Sequence, residues 1–193
     1  METTNRQRQH HAGPFMQKIA FWMITFMHDN PLLPLLKDPY KLLEAAGLKK
    51  GQKVLEVGSG PGFFTIPAAR IVGEEGRVYA VDVNPYAIAR VRRKIEREGI
   101  NNVTPLLANA SDTGLSERSV DLAFLVGLGH IVGGQKNILA EINRILRPGG
   151  VLSLQHTRGG KGKMIDEIKQ VGFVFLESNG RFFLFTKKNR NGG

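Results

Sequence analysis

The chain has 193 residues, 41% hydrophobic and 23% charged, which suits one domain of about 100–200 residues with a real core and is too apolar for a wholly disordered chain. It has no cysteine, which excludes a disulfide framework, cysteine-ligated zinc, iron–sulfur clusters and a thiol nucleophile. Lys and Arg outnumber Asp and Glu by 27 to 17, and the net charge of +10 suits an anionic small molecule, a nucleic acid or an acidic membrane surface without choosing among them.

Residues 1–13 carry Arg6, Arg8, His10 and His11 with no apolar core, and read as a disordered arm. Residues 15–27 are the most apolar stretch, yet these thirteen include Gln17 and Lys18 and fall short of the roughly 20 that span a bilayer. The stretch fits a core-packing helix, an interfacial helix making peripheral membrane contact, or a hydrophobic lid over an apolar substrate. No small-residue cleavage site precedes His28-Asp29-Asn30-Pro31, so a signal peptide is not expected and a cytoplasmic location is. Three prolines, Pro31, Pro34 and Pro39, punctuate the segment before a helical stretch at 40–48. Residues 14–50 are therefore expected to form a helical cap, 51–188 the main domain and 189–193 a tail.

From residue 50 onward, short β-rich runs alternate with longer helical ones, the pattern of a mainly parallel sheet with crossover helices. Strands are expected at 53–57, 77–81, 103–108, 120–126 and 151–155, nearly continuous in apolar character because both faces are covered. Helices are expected at 85–98 and 135–146; in the second, Ile138, Leu139, Ile142, Ile145 and Leu146 form an apolar stripe that Pro148-Gly149-Gly150 ends. Near the C-terminus Asn179-Gly180 separates two aromatic β-prone runs, a hairpin signal that makes the last strand antiparallel.

The chemistry concentrates in VLEVGSGPGFFT, residues 54–65, where the first strand turns into the first helix. Gly58, Gly60 and Gly62 permit a tight turn and let backbone N–H groups approach a ligand closely. Asp82 ends the second strand, twenty residues after Gly62, where an open α/β sheet presents a carboxylate to a ribose diol. Together these describe a nucleoside site. The glycine spacing departs from the dinucleotide G-x-G-x-x-G, with Phe63 in the third glycine's place, and no GK[ST] follows the turn, so neither NAD nor a P-loop fits.

The sequence resembles the class I S-adenosylmethionine-dependent methyltransferases in EVGSGPG (56–62), VDVNP (81–85), ANASD (108–112), VDLAFLVGLGH (120–130) and LRPGGVL (146–152), a likeness covering nearly everything after residue 40. The resemblance implies a Rossmann-like three-layer α/β sandwich, its seven strands in the order 3-2-1-4-5-7-6 with strand 7 antiparallel. It also implies S-adenosylmethionine as cofactor and S-adenosylhomocysteine as product. On that reading Gly58, Ser59, Gly60 and Gly62 surround the methionine and ribose portion, and Glu56 holds the loop and the amino end. Asp82 takes the ribose hydroxyls and Val83 packs on adenine. Asn109 and Ala110 lie at the adenine edge, and Asp112 is an alternative partner for the adenine amino group.

No motif names the acceptor. A sulfonium already activates its methyl group, so alignment and water exclusion can suffice. Where a proton must leave, His130, just after the fourth strand, is the first candidate for the base, with loop bracing as its alternative. His28, Tyr40 and His156 are weaker candidates, and no metal site is expected from such scattered residues. Asn84-Pro85-Tyr86 resembles the NPPY loop of amide and adenine methyltransferases, but it follows the second strand rather than the fourth. Arg90, Arg93, Lys94 and Arg97 share one helix face, read as solvated, and Arg158, Lys161 and Lys163 form a basic stretch near the expected acceptor mouth, which fits either a hold on an anionic acceptor or a mobile basic loop. The expected function is methyl transfer to a small molecule; the alternatives are a nucleic-acid methyltransferase and a non-catalytic cofactor-binding protein. The oligomeric state is open.

Overall fold

In the computed structural model the described residues are 38–126, 135–156 and 161–188. Residues 1–13, expected as an arm, most of the expected cap including residues 15–27 and His28, His130, Arg158 and residues 189–193 lie outside them. A helix α1 (Pro39–Ala45) precedes the alternating series β1 (Lys53–Val57), α2 (Thr65–Val72), β2 (Arg77–Asp82), α3 (Pro85–Arg97), β3 (Val103–Leu107), β4 (Val120–Leu125), α4 (Gln135–Ile145) and β5 (Leu146–Gln155). The chain then forms α5 (Lys161–Gln170), β6 (Phe173–Asn179) and β7 (Phe182–Lys187). The seven strands form one sheet in the order β3-β2-β1-β4-β5-β7-β6, with β1 to β5 parallel and β7 antiparallel to both neighbours, as expected.

The period of two along each strand divides the core between the two sheet faces. Val54 of β1, Leu122 and Phe124 of β4, and Phe182 and Leu184 of β7 pack with Leu43 of α1, Ala68 and Val72 of α2 and Val91 of α3. Their neighbours Leu55, Ala123, Leu125, Phe183 and Phe185 pack on the other face against Ile138, Leu139, Ile142 and Ile145 of α4 and Ile168 of α5. Helix starts follow local chemistry. Asp38 caps α1 by accepting from the Tyr40 and Lys41 N–H groups, and Asn84 caps α3 by accepting from Tyr86 N–H at 2.9 Å, each with proline at the first helical position.

Two local expectations are corrected. The chain of β5 begins at Leu146 rather than Val151: Leu146 pairs with Val120, the register then shifts, and regular pairing with β4 resumes at Leu122↔Val151. Pro148-Gly149-Gly150 therefore forms an irregularity inside the strand instead of a connector, with Gly149 at φ 74°. In the hairpin, Asn179 pairs with Phe182, so the central pair is Gly180-Arg181 and not Asn179-Gly180. Gly180 has φ 57° while Arg181 does not have positive φ, and a turn of that kind needs glycine at its first central position.

Candidate nucleoside site at the carboxyl end of the sheet

The β1–α2 loop folds back over the end of β2. Gly58 and Ser59 both donate their N–H to the Val81 carbonyl, at 2.8 and 3.0 Å, and Gly62 donates to the Ser59 carbonyl at 3.0 Å. Gly58, Gly60 and Gly62 have φ of 73°, 52° and 84°, a region costly for any residue with a Cβ. Their surroundings separate two of them. A Cβ on Gly62 would meet Val91 Cγ2 at 3.2 Å, so this glycine lets the loop pack on α3, whereas a Cβ on Gly60 would meet nothing within 4 Å. Gly60 thus faces open space.

Asp82 fastens this loop to the next one. Its Oδ2 accepts from Gly60 N–H and its Oδ1 from Asn84 N–H, each at 2.8 Å. An ionised carboxylate has about four lone-pair sites, so two backbone bonds leave capacity for further donors. The sequence places Asp82 at the strand end, and the structure adds that it shapes the glycine loop.

Glu56 lies within β1 and is only 3% exposed. Thr65 Oγ1, at the start of α2, donates to its Oε2 at 2.6 Å, which braces the strand against the helix across the loop. Burial pushes its carboxyl up to about 8; the Thr65 bond opposes this, and repulsion from Asp82 adds to it. Ser59, 5% exposed, has a buried hydroxyl with no hydrogen-bond partner.

Next to Asp82 the surface turns apolar. Val83, Tyr86 and Leu107 are 49%, 47% and 56% exposed, and Leu107 is the register partner of Asp82 on β3. Asn109 shapes the following turn: its Oδ1 accepts from Ser111 N–H at 3.0 Å and its carbonyl from Asp112 N–H at 2.9 Å. Ala110 is buried in the α4/α5 core, and Asp112 is exposed. The turn is anchored from below by Glu141 of α4, whose Oε1 accepts from both the N–H and the hydroxyl of Thr113, while Arg144 binds Glu141 and the Leu115 carbonyl. These bonds, led by that of Arg144, hold the Glu141 carboxyl down at about 2. Leu107 and the Glu141 anchor were missed in the sequence, and Tyr86 was noted only within Asn84-Pro85-Tyr86. An apolar residue at a strand's carboxyl end was the available signal for Leu107; the anchor had none, because 28 residues separate its ends.

Of the acceptor-side candidates, His130 lies outside the described residues. Tyr40 is directed elsewhere. Its hydroxyl accepts from Arg70 Nη1 at 3.1 Å, and Arg70 pairs with Glu98 at 2.9 Å. Arg70 is in the last turn of α2 and Glu98 caps the end of α3, which puts this group at the opposite, amino edge of the sheet. His156 follows β5 directly, its N–H bound to the Arg181 carbonyl at 2.9 Å and its ring stacked on Phe183. Lys161 and Lys163 fall within α5. On α3, Arg97 pairs with Glu98 at 3.1 Å, and the Lys94 stem runs beside Gly62. Among the described residues no three acidic or histidine side chains are gathered as metal ligands, and no helix is long and apolar enough to cross a membrane.

A family model described as a methyltransferase domain matches residues 54–150, about half of the chain. A probable cobalt-precorrin-6B C(15)-methyltransferase (decarboxylating) of Saccharolobus solfataricus is 30% identical over 150 residues, covering 75% of this chain and 74% of that protein. A ubiquinone/menaquinone biosynthesis C-methyltransferase of Psychromonas ingrahamii is 36% identical over 112 residues, covering 57% of this chain but only 44% of that protein. Among solved structures, a SAM-dependent methyltransferase from Aquifex aeolicus superposes with a TM-score of 0.72 at 26% identity, covering 86% of this chain and 97% of its own.

Proposed function

The chain belongs to the class I S-adenosylmethionine-dependent methyltransferases, and we propose that it methylates a small molecule with S-adenosylmethionine. The observation that carries this reading is the Asp82 carboxylate, which ties the glycine loop to the β2–α3 turn beside the open space over Gly60. The residues present fit a nucleoside with an amino-acid tail. Asp82 has acceptor capacity left for ribose hydroxyls, and Val83 and Leu107 offer exposed apolar surface for adenine, with Asn109, Ala110 and Asp112 at its edge. Ser59 supplies an unspent hydroxyl, and Glu56 is a buried carboxyl that a neighbouring ammonium would ionise.

When bound, S-adenosylmethionine supplies a methyl group already activated by its sulfonium. The chain's residues therefore have to hold two reactants in line and keep water away. Glu56, braced by Thr65, and the Asp82 clasp fix the cofactor side at the carboxyl edge of the sheet. The acceptor enters over the ends of β4 and β5 on the same edge, where open α/β sheets bind ligands. His130, which follows β4 in the sequence, is the base we assign where the acceptor must lose a proton. The small-molecule assignment draws support from the two relatives, one named as a ubiquinone/menaquinone biosynthesis C-methyltransferase and the other as a probable cobalt-precorrin-6B C(15)-methyltransferase.

The test is transfer of labelled methyl from S-adenosylmethionine into a whole-cell extract, with metabolites and lipids separated from RNA and protein. Label in the small-molecule fraction is the expected result. Label in nuclease-sensitive polymer would overturn the acceptor class and make the basic surface a substrate site.

A further inference from the structure

We propose that His156 binds the acceptor directly, its ring nitrogens hydrogen-bonding to a hydroxyl of the small molecule that is methylated. The inference deepens the methyltransferase reading and rests on it. His156 is the first residue beyond β5, at the carboxyl edge where the acceptor has to enter. It is not on a free loop: its N–H bond to the Arg181 carbonyl continues the β5–β7 pairing by one step past Gln155↔Phe182. The period of two places it on the face of Leu152 and Leu154, and its ring lies nearly parallel to that of Phe183, centroids 4.1 Å apart and planes at 18°. Phe183 is itself only 2% exposed and is met edge-on by Phe175 at 5.9 Å, so the imidazole rests on a rigid aromatic base.

What such a mounting leaves unexplained is the polar edge. Both Nδ1 and Nε2 are shielded from solvent, and neither has a hydrogen-bond partner. A histidine kept for packing alone would find a carbonyl or carboxylate for at least one nitrogen, because buried polar atoms are nearly always paired. A surface histidine would turn its nitrogens to water. Here the residue as a whole is half-buried while its nitrogens point inward. That arrangement keeps a donor and an acceptor, the two functions of a neutral imidazole, for a group that arrives with the substrate. A hydroxyl can satisfy either nitrogen. His156 follows β5, whereas the glycine loop and Asp82 follow β1 and end β2, so acceptor and cofactor affinity can be read separately.

The full chain, labelled with nitrogen-15 and saturated with S-adenosylhomocysteine, is titrated with catechol and with phenol while the His156 ring nitrogens are followed by NMR. A saturable shift of those resonances is expected. His156→Phe is expected to weaken catechol by about tenfold or more while leaving S-adenosylhomocysteine affinity within about twofold. His156→Gln should recover part of the loss. His156→Phe should also hold or raise the Tm, since it removes two unpaired polar atoms and keeps the stack on Phe183; a fall in Tm would assign the nitrogens to a structural bond and overturn the proposal. Equal catechol affinity in His156→Phe would overturn it too, as would the absence of any shift in a chain that binds S-adenosylhomocysteine. If the wild-type chain binds no S-adenosylhomocysteine, the methyltransferase reading fails first and takes this inference with it.

Discussion

Replacing Glu56 by glutamine should make the protein more stable at alkaline pH, although it alters a residue at the centre of the proposed site. The carboxyl is 3% exposed, and burial raises it from 4.5 to about 8. For an acid raised in this way the native state holds the proton more tightly than the unfolded chain. The associated stability is therefore full below pH 4.5, falls as pH climbs to about 8, and is flat beyond. That interval corresponds to a loss on the order of 5 kcal/mol, an upper figure because water entry and relaxation soften the cost of a buried charge. Glutamine carries no charge at any of these pH values, and its carbonyl oxygen can still accept from Thr65 Oγ1. Glu56→Gln should match the wild type within about 1 kcal/mol near pH 5 and exceed it by several kcal/mol near pH 9. The assay is urea denaturation of both ligand-free proteins at half-unit steps from pH 5 to 9, taking the difference at each step so that other titrating groups cancel. A difference that stays constant across this range would refute the reasoning. A corollary concerns the ligand: an ammonium placed beside Glu56 favours its ionised form, so binding S-adenosylmethionine at neutral pH should release a proton, seen as a buffer-dependent heat in calorimetry.

The turn at residues 109–113 gives the opposite pH response. Glu141 is held at about 2, below its ordinary 4.5, so its contribution is present above pH 4.5 and disappears as pH falls toward 2. Allowing for the solvent exposure of Arg144, that contribution is about 1–2 kcal/mol, and Glu141→Gln should lower stability by this amount at pH 7, by roughly half as much at pH 3 and by little at pH 2, as measured by chemical denaturation. The two loop glycines should separate stability from binding. Gly62→Ala combines positive φ with a 3.2 Å contact to Val91 and should cost about 1–3 kcal/mol, read as a lower Tm. Gly60→Ala incurs the backbone strain alone, about 1–2 kcal/mol, but puts a methyl group into the open cradle, so its loss of S-adenosylmethionine affinity should exceed that of Gly62→Ala. Equal affinity losses in the two variants would argue against a ligand over Gly60.

The alternating β and helical runs made the parallel sheet legible, because each strand's apolar run and each helix's stripe are local patterns. The antiparallel last strand was legible in Asn179-Gly180 for a similar reason, yet the turn sits one residue later. The hairpin register is set by Phe182 pairing with Asn179 and Phe183 with Ser178 across a twisted edge, and local turn preference does not encode that pairing. The start of β5 was hidden because Pro148-Gly149-Gly150 reads locally as a break, whereas Val120 holds Leu146 in the sheet before it. At the site, the strand-end position of Asp82 could be read directly. Its bonds to Gly60 and Asn84 could not, since they require the loop to have folded back over Val81. Glu56 was singled out as a bracing or ligand-binding carboxyl; the brace is its bond to Thr65, and its raised pKa follows from a burial that only the assembled layers produce. His156 could be named only as a weaker candidate after the fifth strand, and only the packed structure shows both of its nitrogens unpaired.

The central claim is that the Asp82 clasp and the glycine loop form an S-adenosylmethionine site. Titration calorimetry with S-adenosylmethionine and S-adenosylhomocysteine, comparing the wild type with Asp82→Ala, tests it most directly, with circular dichroism confirming that the variant is folded. Asp82→Ala removes both 2.8 Å bonds to the loops and the acceptor proposed for the ribose diol. The account predicts saturable binding of both ligands by the wild type and a loss of at least about thirtyfold in the variant, corresponding to about 2 kcal/mol or more. Absence of binding by the wild type, or equal affinity in the folded variant, would contradict it.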